Sequence, residues 1–153
     1  MQNAKPNHLQ TGETGEQMAV NFITASGMRI ITRNWRPAFS GALAGKLELD
    51  IVAEEADTLV FVEVKTRKIQ TGSAFTPEQA FTANKRQKLL RAVQFYLTEH
   101  NGWQRPCRLD LVCIEIYPDN TSKLEHYKNV LSVSKELTGR RATGGGNTAW
   151  QPW

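Results

Sequence analysis

The feature that most constrains this chain is a pair of β-type runs, Leu47 to Ala53 and Thr58 to Thr66, separated by the acidic turn Glu54-Glu55-Ala56-Asp57. Runs rich in Val, Ile, Phe and Thr on either side of so short a connection predict an antiparallel hairpin. Within it, Glu48 and Asp50 lie two apart on the first strand, and Glu63 and Lys65 two apart on the second. Side chains alternate along a strand, so each pair shares a face. Taking residues 54 to 57 as the loop predicts that Ala53 pairs with Thr58, which sets Asp50 opposite Phe61 and Glu48 opposite Glu63. Asp50 and Glu63 become diagonal neighbours with Cβ atoms about 7 Å apart, a gap that two carboxylates reaching for one cation can close. Leu49, Ile51, Val60, Val62 and Val64 take the opposite, core face. Three carboxylates and a lysine together on strands this apolar are costly unless they are paired or hold a metal. The wet face of a two-layer sheet carries the same alternation, so spacing alone does not choose between surface and site.

The flanking segments predict an alternation of helix and strand. Thr14-Gly15-Glu16-Gln17 reads as a capping box, followed by Met18, Ala19, Phe22 and Ile23 at helical spacing until Gly27. Met28 to Trp35 reads as a strand, and Pro37 to Gly45 as a loop of Pro, Gly, Ser and Ala. Thr76, Pro77 and Gln79 announce a second helix that runs, with room for a break, to about His100. Two strands follow, Arg108 to Tyr117 and Leu124 to Leu131, around the turn Pro118-Asp119-Asn120. Residues 1–12 are expected to be a flexible lead-in, 13–133 one domain, and 134–153, with Gly144-Gly145-Gly146, a flexible tail.

Composition narrows the partners. With 153 residues, the chain suits one domain with its own core. Its 19 basic and 15 acidic side chains leave a formal charge of +4, which permits a polyanionic partner without requiring one. Cys107 and Cys113 are six apart on one expected strand, too far to bridge, and no zinc-ligand spacing is present. No apolar run approaches the roughly 18 residues of a membrane span, and there is no basic-then-apolar leader pattern. The expectation is a cytoplasmic protein without a membrane partner. His8, His100 and His126 are scattered with no ligand spacing.

Several short motifs occur in a recognisable order: Gly15-Glu16, Arg33-Asn34-Trp35-Arg36, Glu48-Leu49-Asp50-Ile51-Val52-Ala53, Phe61-Val62-Glu63-Val64-Lys65-Thr66-Arg67, Lys85 with Leu89 and Ala92, and Arg108-Leu109-Asp110. Over about residues 12 to 131 this order resembles the uncharacterised YraN-like family of the PD-(D/E)XK nuclease superfamily. The chain departs from that pattern at Leu47, where the family usually has Gly, and in a longer Gly/Ala-rich loop before it. The resemblance implies an α/β, restriction-endonuclease-like fold of three α/β/α layers around a central mixed sheet, of the Holliday-junction-resolvase type. It also implies Asp50 and Glu63 as metal ligands, Lys65 as catalytic lysine and Glu16 as an accessory helix carboxylate, with Glu48 as a third ligand.

Such a site would use Mg²⁺ or Mn²⁺ to hydrolyse phosphodiester bonds, because hard oxygen ligands suit those ions. DNA, branched or junction DNA included, is the expected partner, and a homodimer is one way to cut two strands. Lys85 falls on the stripe of Leu89 and Val93, at the core edge, and is the best candidate for binding a phosphate, with Arg67, Arg36 and Lys88 beside it. Trp35 reads either as a phosphate flank or as core. The alternative class is a catalytically weak or inactive nucleic-acid-binding module on the same fold.

Overall fold

The computed structural model describes residues 7–38, 41, 46–70, 76–131 and 133, with side chains from Thr14 onward. The first helix, α1 (Asn7–Ala25), ends in a Schellman arrangement: Gly27 N–H donates to Thr24 O, and Met28 N–H to Ile23 O. Gly27 sits at φ +91°, which a side chain disfavours, and the turn hands the chain to β1 (Arg29–Trp35). The helix therefore starts about two turns before Thr14, and Thr14 to Gln17 lie within it instead of capping it. Residues 7–13 contain no proline to stop the helix, and the one helix-disfavouring residue there, Gly12, lies within it.

Strands β2 (Leu49–Glu55) and β3 (Thr58–Lys68) form the expected antiparallel hairpin, with a different register. Glu55 pairs with Thr58 across a two-residue turn, Ala53 with Val60 and Ile51 with Val62. The hairpin closes more tightly in the acidic turn than expected, because Ala56 accepts φ +51°. The shift is two positions, which preserves every face, and its extension sets Asp50 directly across from Glu63 instead of diagonal to it.

The second helical region is broken. A short α2 (Pro77–Ala80) stops at Phe81, and α3 (Ala83–Glu99) restarts with the Thr82 hydroxyl accepting from Lys85 N–H. Gln79 Oε1 accepts from Thr76 N–H at 3.4 Å, the expected half of a capping box. Strands β4 (Cys107–Ile116) and β5 (Ser122–Leu131) complete a five-stranded sheet in the order β1-β2-β3-β4-β5. All pairs are antiparallel except β3 with β4, whose parallel run is permitted by the α2-α3 crossover. Cys107 and Cys113 are both on β4 and both free.

Helices cover both faces of this mixed sheet. Ala19 and Ile23 of α1 pack with Ile51, Ala53, Val60, Val62, Val112 and Ile114. Leu89, Ala92, Val93, Tyr96 and Leu97 of α3 pack with Val52, Leu59, Phe61, Leu109 and Leu111. The acidic face of the hairpin is thus the α3 face and is itself core, not a wet surface opposite the core. Leu49 breaks the alternation: it joins Leu47 under α3, at the point where β2 leaves its pairing with β3. Trp35 also packs against this cluster, edge-on to Tyr96 at 5.1 Å between ring centroids. The tail expected over residues 134–153 lies outside the described residues.

Candidate functional site

The site forms where the β2–β3 ladder stops. Beyond Ile51–Val62, the next backbone donor on β3 is used by a side chain: Val64 N–H donates to Asp50 Oδ2 at 2.8 Å. That bond holds the Asp50 carboxyl against β3, beside Glu63, which alternation directs to the same α3 face as Phe61. Glu63 is 3% exposed, and its Oε1 takes the Lys85 ammonium at 2.8 Å. Lys85 reaches down from the first turn of α3 to make this pair.

Two carboxyls this close, one buried and one half-buried, disturb one another. Burial first, and then the charge of Glu63, push the Asp50 carboxyl up to about 7, against the partial relief given by the Val64 amide and Lys85. Lys85 is moved the other way from what its burial alone would do: desolvation is outweighed by the carboxylates of Glu63, Asp50 and Glu48, and its ammonium is held above the ordinary lysine range. Glu63 Oε2 is buried and meets no hydrogen-bond donor among the described residues. The side chain within hydrogen-bonding reach of Glu63 besides Lys85 is Asp50, which can donate only when protonated.

A cavity of about 240 Å³ opens beside Asp50, lined by Lys46, Glu48, Asp50, Lys85, Lys88 and Leu89, with Glu63 buried behind Asp50 and Lys85 and outside the lining. Three ammonium groups and two carboxylates face one small space, a lining suited to an anion carried together with a cation. Glu48 is partly engaged, since Arg36 donates to its Oε2 at 2.7 and 3.2 Å. Among the described residues no group of three His, Cys, Asp or Glu gathers in metal-binding geometry. Two carboxylates such as Asp50 and Glu63 could still hold an ion such as Mg²⁺, which commonly takes only one or two carboxylates and keeps its waters. The Glu63 oxygen that is without a donor when Asp50 is ionised, and the repulsion of the two carboxylates in that state, both fit a cation.

The other expected site residues divide. Lys85 and Lys88 line the cavity. Lys65 lies half-buried on the α3 face, level with Cys113 of β4, and is not part of the lining. Arg67 lies near the end of β3, level with Glu115. Glu16 comes to the same end of the sheet on the α1 side, where Arg33 donates to its Oε1 at 3.5 Å, and is not brought into the cavity. Its neighbour Gly15 presses on β3 so closely that a Cβ there would come 1.9 Å from Thr66 Oγ1.

Lys46 joins the lining without having been among the expected residues. Its one signal in the sequence is its place at the mouth of the strand carrying Asp50, masked by the Gly/Ala composition before it. His126, expected to have no role as a ligand, has a buried partner instead. Its Nε2 lies 2.9 Å from Asp110 Oδ2, while Asp110 Oδ1 accepts from Arg108 Nε at 3.0 Å and Asn129 N–H at 2.8 Å. Asp110 sits on the α1 face, opposite the cavity, where β4–β5 pairing slips between Leu109 and Leu111.

Fold and site together describe a small α/β protein whose mixed sheet sets buried Glu63 beside half-buried Asp50, which opens on a lysine-lined cavity. Residues 15–114 match the model of the Uncharacterised protein family UPF0102, and the chain belongs to that family, the YraN-like one. The UPF0102 protein LI0223 of Lawsonia intracellularis is 40% identical over 144 residues, covering 94% of this chain and 97% of the relative. A UPF0102 protein of Nitratidesulfovibrio vulgaris (strain DP4) is 42% identical over 143 residues, 94% and 95% of the two chains. The UPF0102 protein STH1475 of Symbiobacterium thermophilum is 41% identical over 121 residues, 78% of this chain and 94% of the relative. No helix among the described residues is long and apolar enough to cross a membrane.

Proposed function

We propose that this protein is a Mg²⁺- or Mn²⁺-dependent nuclease with a restriction-endonuclease-like fold, hydrolysing phosphodiester bonds in DNA. The observation that carries the reading is the pairing of buried Glu63, one of whose oxygens lacks a donor while Asp50 is ionised, with half-buried Asp50, which lines a cavity rimmed by lysines. Two neighbouring carboxylates cost stability unless positive charge balances them, and the single ammonium of Lys85 balances only one of the two, which leaves room for a cation.

In this reading Asp50 and Glu63 would hold the ion, which would polarise a phosphoryl oxygen as a Lewis acid and lower the pKa of a bound water. The Val64 amide fixes the Asp50 carboxyl beside Glu63, and Lys85 neutralises Glu63 until the ion arrives. Lys46 and Lys88 receive the phosphate backbone. Lys65, two residues from Glu63 and on its face, orients the attacking water or neutralises charge gathering on the phosphoryl group. Glu48 and Arg36 form a charged flank that shapes the entry, and Glu16 acts from the α1 side as an accessory carboxylate.

The test is cleavage of labelled linear duplex, flap and four-way-junction DNAs in Mg²⁺ and Mn²⁺, by the wild type and by Asp50→Ala. Metal-dependent cleavage that disappears in Asp50→Ala supports the proposal. DNA binding with no cleavage under either metal would identify a nucleic-acid-binding module instead.

A further inference from the structure

Lys85 holds a position that a simple phosphate-binding lysine would not. Its ammonium is already bonded, at 2.8 Å, to Oε1 of the carboxylate whose other oxygen has no donor. Three carboxylates, Glu63, Asp50 and Glu48, act on it together. Yet its side chain is 39% exposed, against 3% for Glu63, so the lysine is the partner able to move. Its flexible stem enters from α3 through the cavity wall, next to Lys88 one helical turn on and facing Lys46.

We infer that Lys85 is a built-in counter-cation of the Asp50–Glu63 pair, which a divalent ion must displace and which then turns to a phosphate group in the adjoining cavity. The inference rests on the metal-site reading of this pair and assigns it a coupling. A divalent ion held by Glu63 and Asp50 would bring two positive charges beside an ammonium on the same carboxylate, and like charges at such range in a half-buried site repel strongly. The ammonium leaves because it is the exposed and flexible group. Between Lys46 and Lys88 it meets two other ammoniums, an arrangement that is satisfied only by an anion. Metal binding and phosphodiester binding therefore favour each other, and by linkage each strengthens the other equally. In the absence of nucleic acid, Lys85 holds metal affinity down.

The experiment titrates Mn²⁺ into nucleic-acid-free protein by calorimetry, comparing wild type, Lys85→Met, Asp50→Asn and Arg91→Met, which removes a charge from the exposed side of the same helix. Lys85→Met is expected to bind Mn²⁺ more tightly, by roughly tenfold, an ordinary size for site-to-site coupling. Arg91→Met should stay within about twofold of wild type, and Asp50→Asn should not bind. A second arm measures anisotropy of a labelled duplex DNA with and without Ca²⁺. The wild type should gain affinity on adding Ca²⁺, and Lys85→Met should gain several-fold less. If Lys85→Met binds Mn²⁺ no more tightly than wild type while Asp50→Asn abolishes binding, the counter-cation role is wrong and the metal site stands. Equal Ca²⁺ enhancement in both proteins overturns the coupling. Absence of Mn²⁺ binding in wild type and Lys85→Met alike overturns the metal site itself.

Discussion

Asp50 Oδ2 accepts the amide of Val64, the residue immediately after Glu63, at 2.8 Å. One side-chain bond thereby replaces a rung of the ladder and fixes one carboxyl beside another. Asn at position 50 keeps an acceptor for Val64 and removes the charge that repels Glu63. Asp50→Asn should raise the melting temperature of metal-free protein by a few degrees, the effect of about 1 kcal/mol in a chain of this size, while abolishing Mn²⁺ binding. A lowered melting temperature with metal binding retained would contradict this account of the pair.

On the other face, Asp110 has the same device and the opposite electrostatics. Burial raises its pKa, but His126, the Asn129 amide and Arg108 outweigh burial and hold it below the ordinary carboxylate value. Arg108 also reaches Glu55 at 2.6 Å, and Lys128 lies 3.5 Å from Glu55, so the cluster carries both signs. A depressed folded-state pKa contributes stability that is complete above the unfolded value, near pH 4, and declines as pH falls through the folded value. Asp110→Asn should cost about 3 kcal/mol at pH 7, the scale of breaking a buried ion pair. The gap between wild type and variant should shrink as unfolding is followed below pH 4, and a gap that widens on acidification would refute the assignment.

At Gly15 two effects compete. Alanine is the better helix former by about 1 kcal/mol, but its Cβ would lie 1.9 Å from Thr66 Oγ1. Overpacking of this kind typically costs about 1–3 kcal/mol, so Gly15→Ala should lower the melting temperature. Adding Thr66→Ala should recover part of that decrease, since Thr66 Cβ at 2.8 Å remains in the way. A more stable Gly15→Ala would show that α1 stands off from β3.

Period-two alternation makes the common face of Asp50 and Glu63 legible, because a register error of two residues leaves faces unchanged. The error itself comes from the turn: nothing in Glu54 to Asp57 marks Ala56 for a positive φ, a conformation Gly or Asn would have advertised. The break between α2 and α3 is visible in part through Thr82, which caps the second segment. Burial on both faces is harder to read, since Glu63 and Lys65 on the strand mimic solvent exposure. Helical spacing puts Lys85 at the edge of the core but does not reveal its partner, and nothing local links His126 to Asp110 across sixteen positions.

If the site is a nuclease centre, binding and chemistry should depend on different lysines. Lys46 and Lys88 line the cavity without a described bond to either carboxylate of the pair, whereas Lys65 lies deeper on β3, two residues past Glu63. Replacing both Lys46 and Lys88 by Ala should weaken DNA binding and reduce the slope of log affinity against log salt by about 0.9 for each phosphate that is no longer neutralised. Cleavage at saturating DNA should change little, because neither residue touches the metal ligands. Lys65→Ala should leave Mn²⁺ binding and DNA affinity near wild type and lower single-turnover cleavage by roughly 10²–10³, the usual effect of removing one group that stabilises transition-state charge. Lys65→Arg should not restore it, since guanidinium is bulkier and cannot give up its proton. Equal reductions of saturated cleavage in Lys65→Ala and in the Lys46/Lys88 double variant would remove the distinction, and with it the assignment of Lys65 to the chemical step.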